Sequence, residues 1–418
     1  MRKRGCVLLK SLNIEKIYEM APNFWSIVLF SLISIAFLLS DWVILHSSFG
    51  DFILAFTAVL FVMLGQVKLS KKQLFVAAIP MVFMYLNYIL NENFNDFWFD
   101  TTRATRSYMK IFLYVAVLVL CYSFVKRHKL ADRFLQVSNV FAVIAIVIGI
   151  VIAVLIYAGR EDITDIVWTF TRTDTLSYYF NENPSVIRAR SLFSEPAHLG
   201  YYLNTVFFSN IFSSKKNNYL MLGTLAVGIL LTLSYGMILI FVATMLTYAA
   251  QKLIYGEFKW SNWYLSIFVP IILLVAYFWD FIEVSIIQRT VDIVTGIDGS
   301  AYNRIFDSWI YIENERIIFG NGIAHSPPII NIYAYILTDF GLVGLIPYVL
   351  FSLYILMQNV SVFVFFVLMN SAKGGYLNPA FWLFILYVFI YGIGTKTNQY
   401  SFSRGKSKIN HFNHSYKQ

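Results

Sequence analysis

Val140–Ala158 reads VFAVIAIVIGIVIAVLIYA, an apolar stretch without a single charged residue. A helix rises about 1.5 Å per residue, so roughly 20 such residues cross the hydrocarbon core of a bilayer, and this segment has the length and composition of one crossing. Comparable runs lie before it at Phe24–Ser40, Val43–Leu64, Leu74–Leu90 and Ile111–Val125, and after it at Leu199–Phe212, Tyr219–Leu233, Met237–Ala250 and Trp263–Trp279. Ile329–Met369 is too long for one crossing and reads as two, and Leu377–Gly394 supplies the last. The chain is therefore predicted to be an all-α polytopic integral membrane protein of about 12 transmembrane helices, roughly 10–12. It forms a single membrane domain over residues 1–394, with a polar, basic, disordered cytoplasmic tail at 395–418.

Composition leads to the same class. The 418 residues are 58% hydrophobic, 18% aromatic and 13% charged, with mean hydropathy +0.65, whereas soluble domains run at roughly 45–50% apolar and about 25% charged. A soluble globular enzyme is excluded. The net charge of +9 does not point to nucleic acid, which would need a basic stripe on a polar fold. Here the cations punctuate apolar runs. Cys6 and Cys121 are the only cysteines, so neither a disulfide framework nor a cysteine-rich metal site can form.

Placing both termini in the cytoplasm puts Lys68, Lys71, Lys72, Lys126, Arg127, Lys129, Lys215, Lys216 and Lys252 inside, as the positive-inside bias requires. The basic start lacks a small-residue cleavage site and its first apolar run begins only at Phe24, which reads as an uncleaved signal anchor. Two long external segments remain, Gly159–Ser194 and about Val284–Pro328. A channel or carrier tends to set ionisable groups near the bilayer midplane, whereas this chain concentrates charge in its external loops.

Arginine dominates the external cations: Arg103, Arg106, Arg160, Arg172, Arg188, Arg190, Arg289, Arg304 and Arg316, with only Lys110 and Lys373 beside them. A planar guanidinium binds phosphate oxygens in pairs and keeps its charge, which suits a pyrophosphate held at the membrane surface. Snorkelling to lipid headgroups is the alternative for any one of them.

RARSLFSEPAHLGYYLN, Arg188–Asn204, looks like a loop entering a helix, with Pro196 in the first turn. Helical spacing places Glu195, His198 and Tyr202 on one face, with Arg190 on the preceding loop. A lipid-shielded glutamate there could serve as general acid or base. Alternatively, Glu195 merely favours the positive helix end and His198 is an interface residue.

In the second long loop, AYNRIFDSWIYIENERIIFGNGIAHSPP, Ala301–Pro328, Ile305, Trp309 and Ile312 form a helical stripe. Arg304 makes either a surface pair with Asp307 or a phosphate contact. Gly320, Asn321 and Gly322 form a tight turn without a Walker-type lysine, and His325 after it is structural or catalytic.

These stretches together resemble the bacterial O-antigen polymerase and O-antigen ligase superfamily. Arg190 with SLFSEP resembles its loop arginine followed by an acid and proline before a helix. LTLSYG, Leu231–Gly236, is similar to its threonine–serine helix-end motif, with Tyr235 where an arginine is usual. NRIFDSW with FGNGIAH, Asn303–His325, resembles its second arginine segment, and Asn331 precedes GLVG, Gly341–Gly344, at the ligase-type spacing. Ile330 stands where ligases place a histidine, which favours a polymerase. The matching stretches fall in the C-terminal half; the first five helices match only in being hydrophobic.

The resemblance implies a metal-independent glycosyltransferase without cofactor, in the bacterial inner membrane. It would join undecaprenyl-pyrophosphate-linked oligosaccharides on the periplasmic face, with a flippase and a chain-length co-polymerase as partners. Arg190 and Arg304 would hold the pyrophosphates, Glu195 would activate the acceptor hydroxyl and His325 would share or replace that role. Arg188, Arg289, His198, Tyr235, Asn331 and Asp339 would line the substrate site. A ligase of the same superfamily and a lipid-linked glycan flippase are the alternatives.

Overall fold

A computed structural model of the chain describes residues 14–44, 46–65, 69–91, 100–171, 178–180, 183–213, 218–254, 306–373 and 375–393, with isolated positions 283, 291, 295 and 302. Among the described residues the helices are α1 (Ile14–Leu38), α2 (Phe49–Met63), α3 (Lys71–Asn91), α4 (Thr101–His128), α5 (Ala131–Tyr157), α6 (Glu161–Trp168), α7 (Pro196–Phe212), α8 (Tyr219–Leu231), α9 (Tyr235–Ile254), α10 (Ile332–Gln358), α11 (Val360–Ala372) and α12 (Pro379–Tyr387). The last runs on into a π-helical turn, Val388–Ile393. Two small antiparallel hairpins pair β1 (Val43–Ile44) with β2 (Ser47–Ser48) and β3 (Tyr179–Phe180) with β4 (Asn183–Ile187).

The protein is thus mostly helical and built for a membrane. Among the described residues, α3, α4, α5, α9 and α10 are long and apolar enough to cross a bilayer, and shorter apolar helices stand at Phe24–Leu38, α2, α8, α11 and Pro379–Ile393. Every predicted apolar run but one coincides with a helix. Trp263–Trp279, Arg289, Arg304 and the tail 395–418 lie outside the described residues.

In α5 the run that opened the analysis presents Val140, Ile144, Val147, Val151 and Val154 outward while Ala142, Ala145, Gly149 and Ile152 are buried. Large side chains meet lipid tails and small ones let neighbours approach. The helix buried most completely is the less apolar α7, enclosed from Leu199 to Phe212 and packed against α5, α8, α9 and α12. Four of its polar side chains bond within the helix: Asn204, Thr205, Ser209 and Asn210 each donate to the carbonyl one turn back. Asn210 also exchanges amide hydrogen bonds of 2.7 and 3.0 Å with Asn139 of α5.

At Gly341, with φ 65° and ψ −165°, α10 breaks into two pieces. There the chain around Gly320 crosses it backbone to backbone. Asn321 N–H donates to the Thr338 carbonyl (2.8 Å), Gly322 N–H to that of Asp339 (3.0 Å) and Leu342 N–H to that of Ile317 (2.8 Å). Drawing the chain onto α10 in this way replaces the predicted helical stripe around Trp309 by short 3-10 turns, Asp307–Trp309 and Asn314–Arg316.

The side chain of Asn331 caps α10 by accepting from Tyr333 N–H (3.0 Å) and Ala334 N–H (3.4 Å). Asn331→Ala is expected to cost about 1 kcal/mol, read as a small drop in the thermal midpoint. An unchanged midpoint would argue against the cap.

Candidate functional site at the N-terminus of α7

The Arg188–Pro196 segment crosses the end of the bundle under tight restraint. Ala189 N–H donates to the Leu231 carbonyl (3.0 Å) and Arg188 Nε to that of Thr232 (3.3 Å), joining this motif to LTLSYG at the α8–α9 turn. Arg190 is only 1% exposed. Its guanidinium carbon lies 3.4 Å from the centroid of the Trp168 ring and 5.8 Å from that of Tyr178, and Nη1 donates to the Ser194 carbonyl (3.1 Å). Trp168 Nε1 in turn donates to the Ser191 carbonyl (2.9 Å). The arginine predicted to sit on an open loop is therefore enclosed beneath it, stacked on the aromatic ring that α6 supplies.

The predicted meeting of carboxylate, imidazole and guanidinium is arranged differently. His198 lies on the first turn of α7, and its Nδ1 pairs with Asp41 from the α1–α2 loop. Ser194 also serves Asp41, through Oγ (3.0 Å) and N–H (3.3 Å). Asp41 is 2% exposed and the His198 side chain 21%. Burial alone would raise the Asp41 carboxyl, but the nearby His198 ring and Lys373 ammonium hold it well below the usual carboxylate range. Glu195 occupies the N-cap position, half-buried, and makes no capping hydrogen bond. Tyr202 turns into the core, its hydroxyl 3.4 Å from the Ser138 carbonyl.

The second group of motif residues centres on Asp339. Its carboxylate accepts from Ser326 Oγ (2.5 Å), Ser326 N–H (3.2 Å), Ala324 N–H (3.2 Å) and the Tyr376 hydroxyl, and so fixes the turn that follows GNG. His325 is 2% exposed within that turn, and Arg103 Nη2 reaches the Ser326 carbonyl (3.4 Å). The α11–α12 turn bridges the two groups, since it carries Tyr376 beside Asp339 and Lys373 within electrostatic reach of Asp41. Nearby, Asp51 accepts from Tyr114 (2.5 Å) and pairs with Lys110 (3.1 Å).

Four separated motifs thus reach one end of the bundle as two linked groups. Glu195 and His198 are half-buried, Arg190 and Asp339 are enclosed, and Tyr235 begins α9, just after the turn bonded to the first group. Sequence reasoning missed Asp41, Trp168 and Tyr376, and counted Lys373 only among the external cations. Asp41 did leave a signal, as an acid set between two apolar runs where a helix end leaves the membrane.

A family model described as WcaD colanic acid polymerase matches residues 29–315, more than half of the chain. No curated protein and no solved structure matches it. The match begins within α1, so the first five helices, which resembled the polymerase superfamily only in hydrophobicity, share in the relationship. The chain belongs to the WcaD colanic acid polymerase family and is a membrane-embedded polysaccharide polymerase.

Proposed function

We propose that the protein is an O-antigen polymerase of the bacterial inner membrane, with about 12 crossings and both termini in the cytoplasm. It joins undecaprenyl-pyrophosphate-linked repeat units at the periplasmic face, taking substrate from a flippase and working with a chain-length co-polymerase. The observation that carries this reading is the gathering of Arg188, Arg190, Glu195 and His198 at the N-terminus of α7. Lys126, Arg127 and Lys252 lie in the last turns of helices that run away from that end.

In the transfer, the acceptor hydroxyl oxygen bonds the donor sugar's C1 while the C1–O bond to the diphosphate breaks. Charge then develops on the departing undecaprenyl diphosphate, where preorganised cations act most strongly. Arg304 and Arg188 contact the diphosphate, and Arg190 adds fixed positive charge from beneath the loop. Arginine in place of a metal supplies the counter-charge. Arg289, Tyr235 and Asn331 line the site, Asp339 and His325 hold its second wall, and Glu195 engages the acceptor hydroxyl.

Deleting the gene in its own strain and comparing lipopolysaccharide ladders tests this. The deletion should leave core plus one repeat unit, wild type should restore the ladder, and Glu195→Gln at equal protein level should not. Core without any unit would favour a ligase or an exporter. The family's description supports a second reading, a polymerase of colanic acid; an unchanged ladder with loss of that polysaccharide would favour it.

A further inference from the structure

The pairing of Asp41 with His198 assigns a role that neither residue's sequence position announced. We propose that His198 is the base that removes the acceptor hydroxyl proton and that Asp41 is the residue that positions it. This rests on reading the α7 N-terminus as the transfer site.

Asp41 comes from a different part of the fold, 153 residues from Ser194. Its segment is pinned to the same loop, since Trp42 Nε1 donates to the Leu192 carbonyl (2.7 Å) and Val43 N–H to that of Phe170 (2.8 Å). An ionised carboxylate only accepts hydrogen bonds, so the proton between the partners sits on Nδ1 of His198. A ring with its single proton on Nδ1 carries its lone pair on Nε2, the edge not held by Asp41, and the ring is partly exposed. A carboxylate at one ring nitrogen that fixes the tautomer and leaves the other free is the arrangement a base requires.

In the step, the acceptor oxygen attacks C1, its proton passes to Nε2, and the electron pair of the breaking C1–O bond leaves with the diphosphate. The imidazolium so formed lies against the buried Asp41 anion, which Lys373 also reaches electrostatically, and Glu195 stands three residues before it at the N-cap. Glu195 orients the acceptor hydroxyl toward Nε2.

The test uses the purified full-length protein in liposomes with a lipid-linked repeat unit, following undecaprenyl diphosphate release. His198→Ala should lower kcat by about 10²–10⁴-fold with little change in KM, and added imidazole should restore part of the rate. Imidazole should not rescue Glu195→Gln, and it should rescue His198→Ala less well when Asp41→Asn is also present. If His198→Ala misfolds, His198→Gln keeps the volume and an N–H toward Asp41 and should still be inactive. A folded His198 variant with wild-type kcat, or a folded His198→Ala that imidazole cannot restore, would overturn the assignment. If wild type itself releases no diphosphate, the transfer-site reading falls and takes this one with it.

Discussion

Arg190→Ala is expected to abolish chain elongation, and Arg190→Lys is expected not to restore it. A desolvated guanidinium stacked on an indole contributes about 2 kcal/mol or more, and here the stacking distance is 3.4 Å with the side chain fully enclosed. Truncation would remove that stacking, open a void beneath Trp168 and leave the Ser194 carbonyl without its Nη1 donor. The SLFSEP turn, which carries Ser194 and Glu195 and leads into the α7 turn bearing His198, would lose its floor. Lysine keeps the charge but has no planar fork to lie on the ring while reaching Ser194. We expect at least a ~100-fold loss of elongation for both variants, and a lower thermal midpoint for alanine, in keeping with the ~2 kcal/mol or more that the desolvated stacking contributes. Polymer length in membranes, with protein level and thermal shift, checks this. A fully active Arg190→Lys would show that charge alone suffices.

Gly341→Ala is expected to be the most destabilising single-methyl change in the described part of the protein. Its φ of 65° with ψ of −165° lies in a region open essentially to glycine, which costs other residues about 1–3 kcal/mol. A Cβ would also stand 2.3 Å from the Ile318 carbonyl oxygen and 2.5 Å from Gly320 N. Both are backbone atoms of the chain that crosses α10, so relief would break the bonds that seat the GNG turn on Thr338 and Asp339. Gly223 on α8 is the control, because a Cβ there meets nothing within 4 Å. The expected result is little folded Gly341→Ala in membranes and an unaltered Gly223→Ala. Equal thermal midpoints for the two would contradict the crossing.

The helices were legible because the bilayer imposes a length and an apolar composition that composition alone reveals. The central position of α7 was not. Its asparagines, serines and threonines make it read as the weaker crossing, whereas they mark a helix that other helices cover and whose side-chain donors bond carbonyls within the helix.

At the site, RARSLFSEP was recognisable as a loop entering a helix, and Pro196 does stand in the first turn of α7. Its wiring was hidden because the partners are far along the chain. Asp41 reaches it from the α1–α2 loop and Trp168 from α6, and no local spacing connects them. Likewise, Asp339 was singled out only by resemblance, while its four hydrogen bonds to Ser326, Ala324 and Tyr376 give the physical reason for an acid there.

The most direct measurement of the central claim reconstitutes the purified protein in liposomes whose only sugar substrate is the lipid-linked repeat unit, and resolves the products by size. The account predicts products of two, three and more units still attached to lipid, with one undecaprenyl diphosphate released for each linkage formed. Movement of intact units across the bilayer without elongation, or transfer of single units to an added lipid A core with no lengthening, would contradict it.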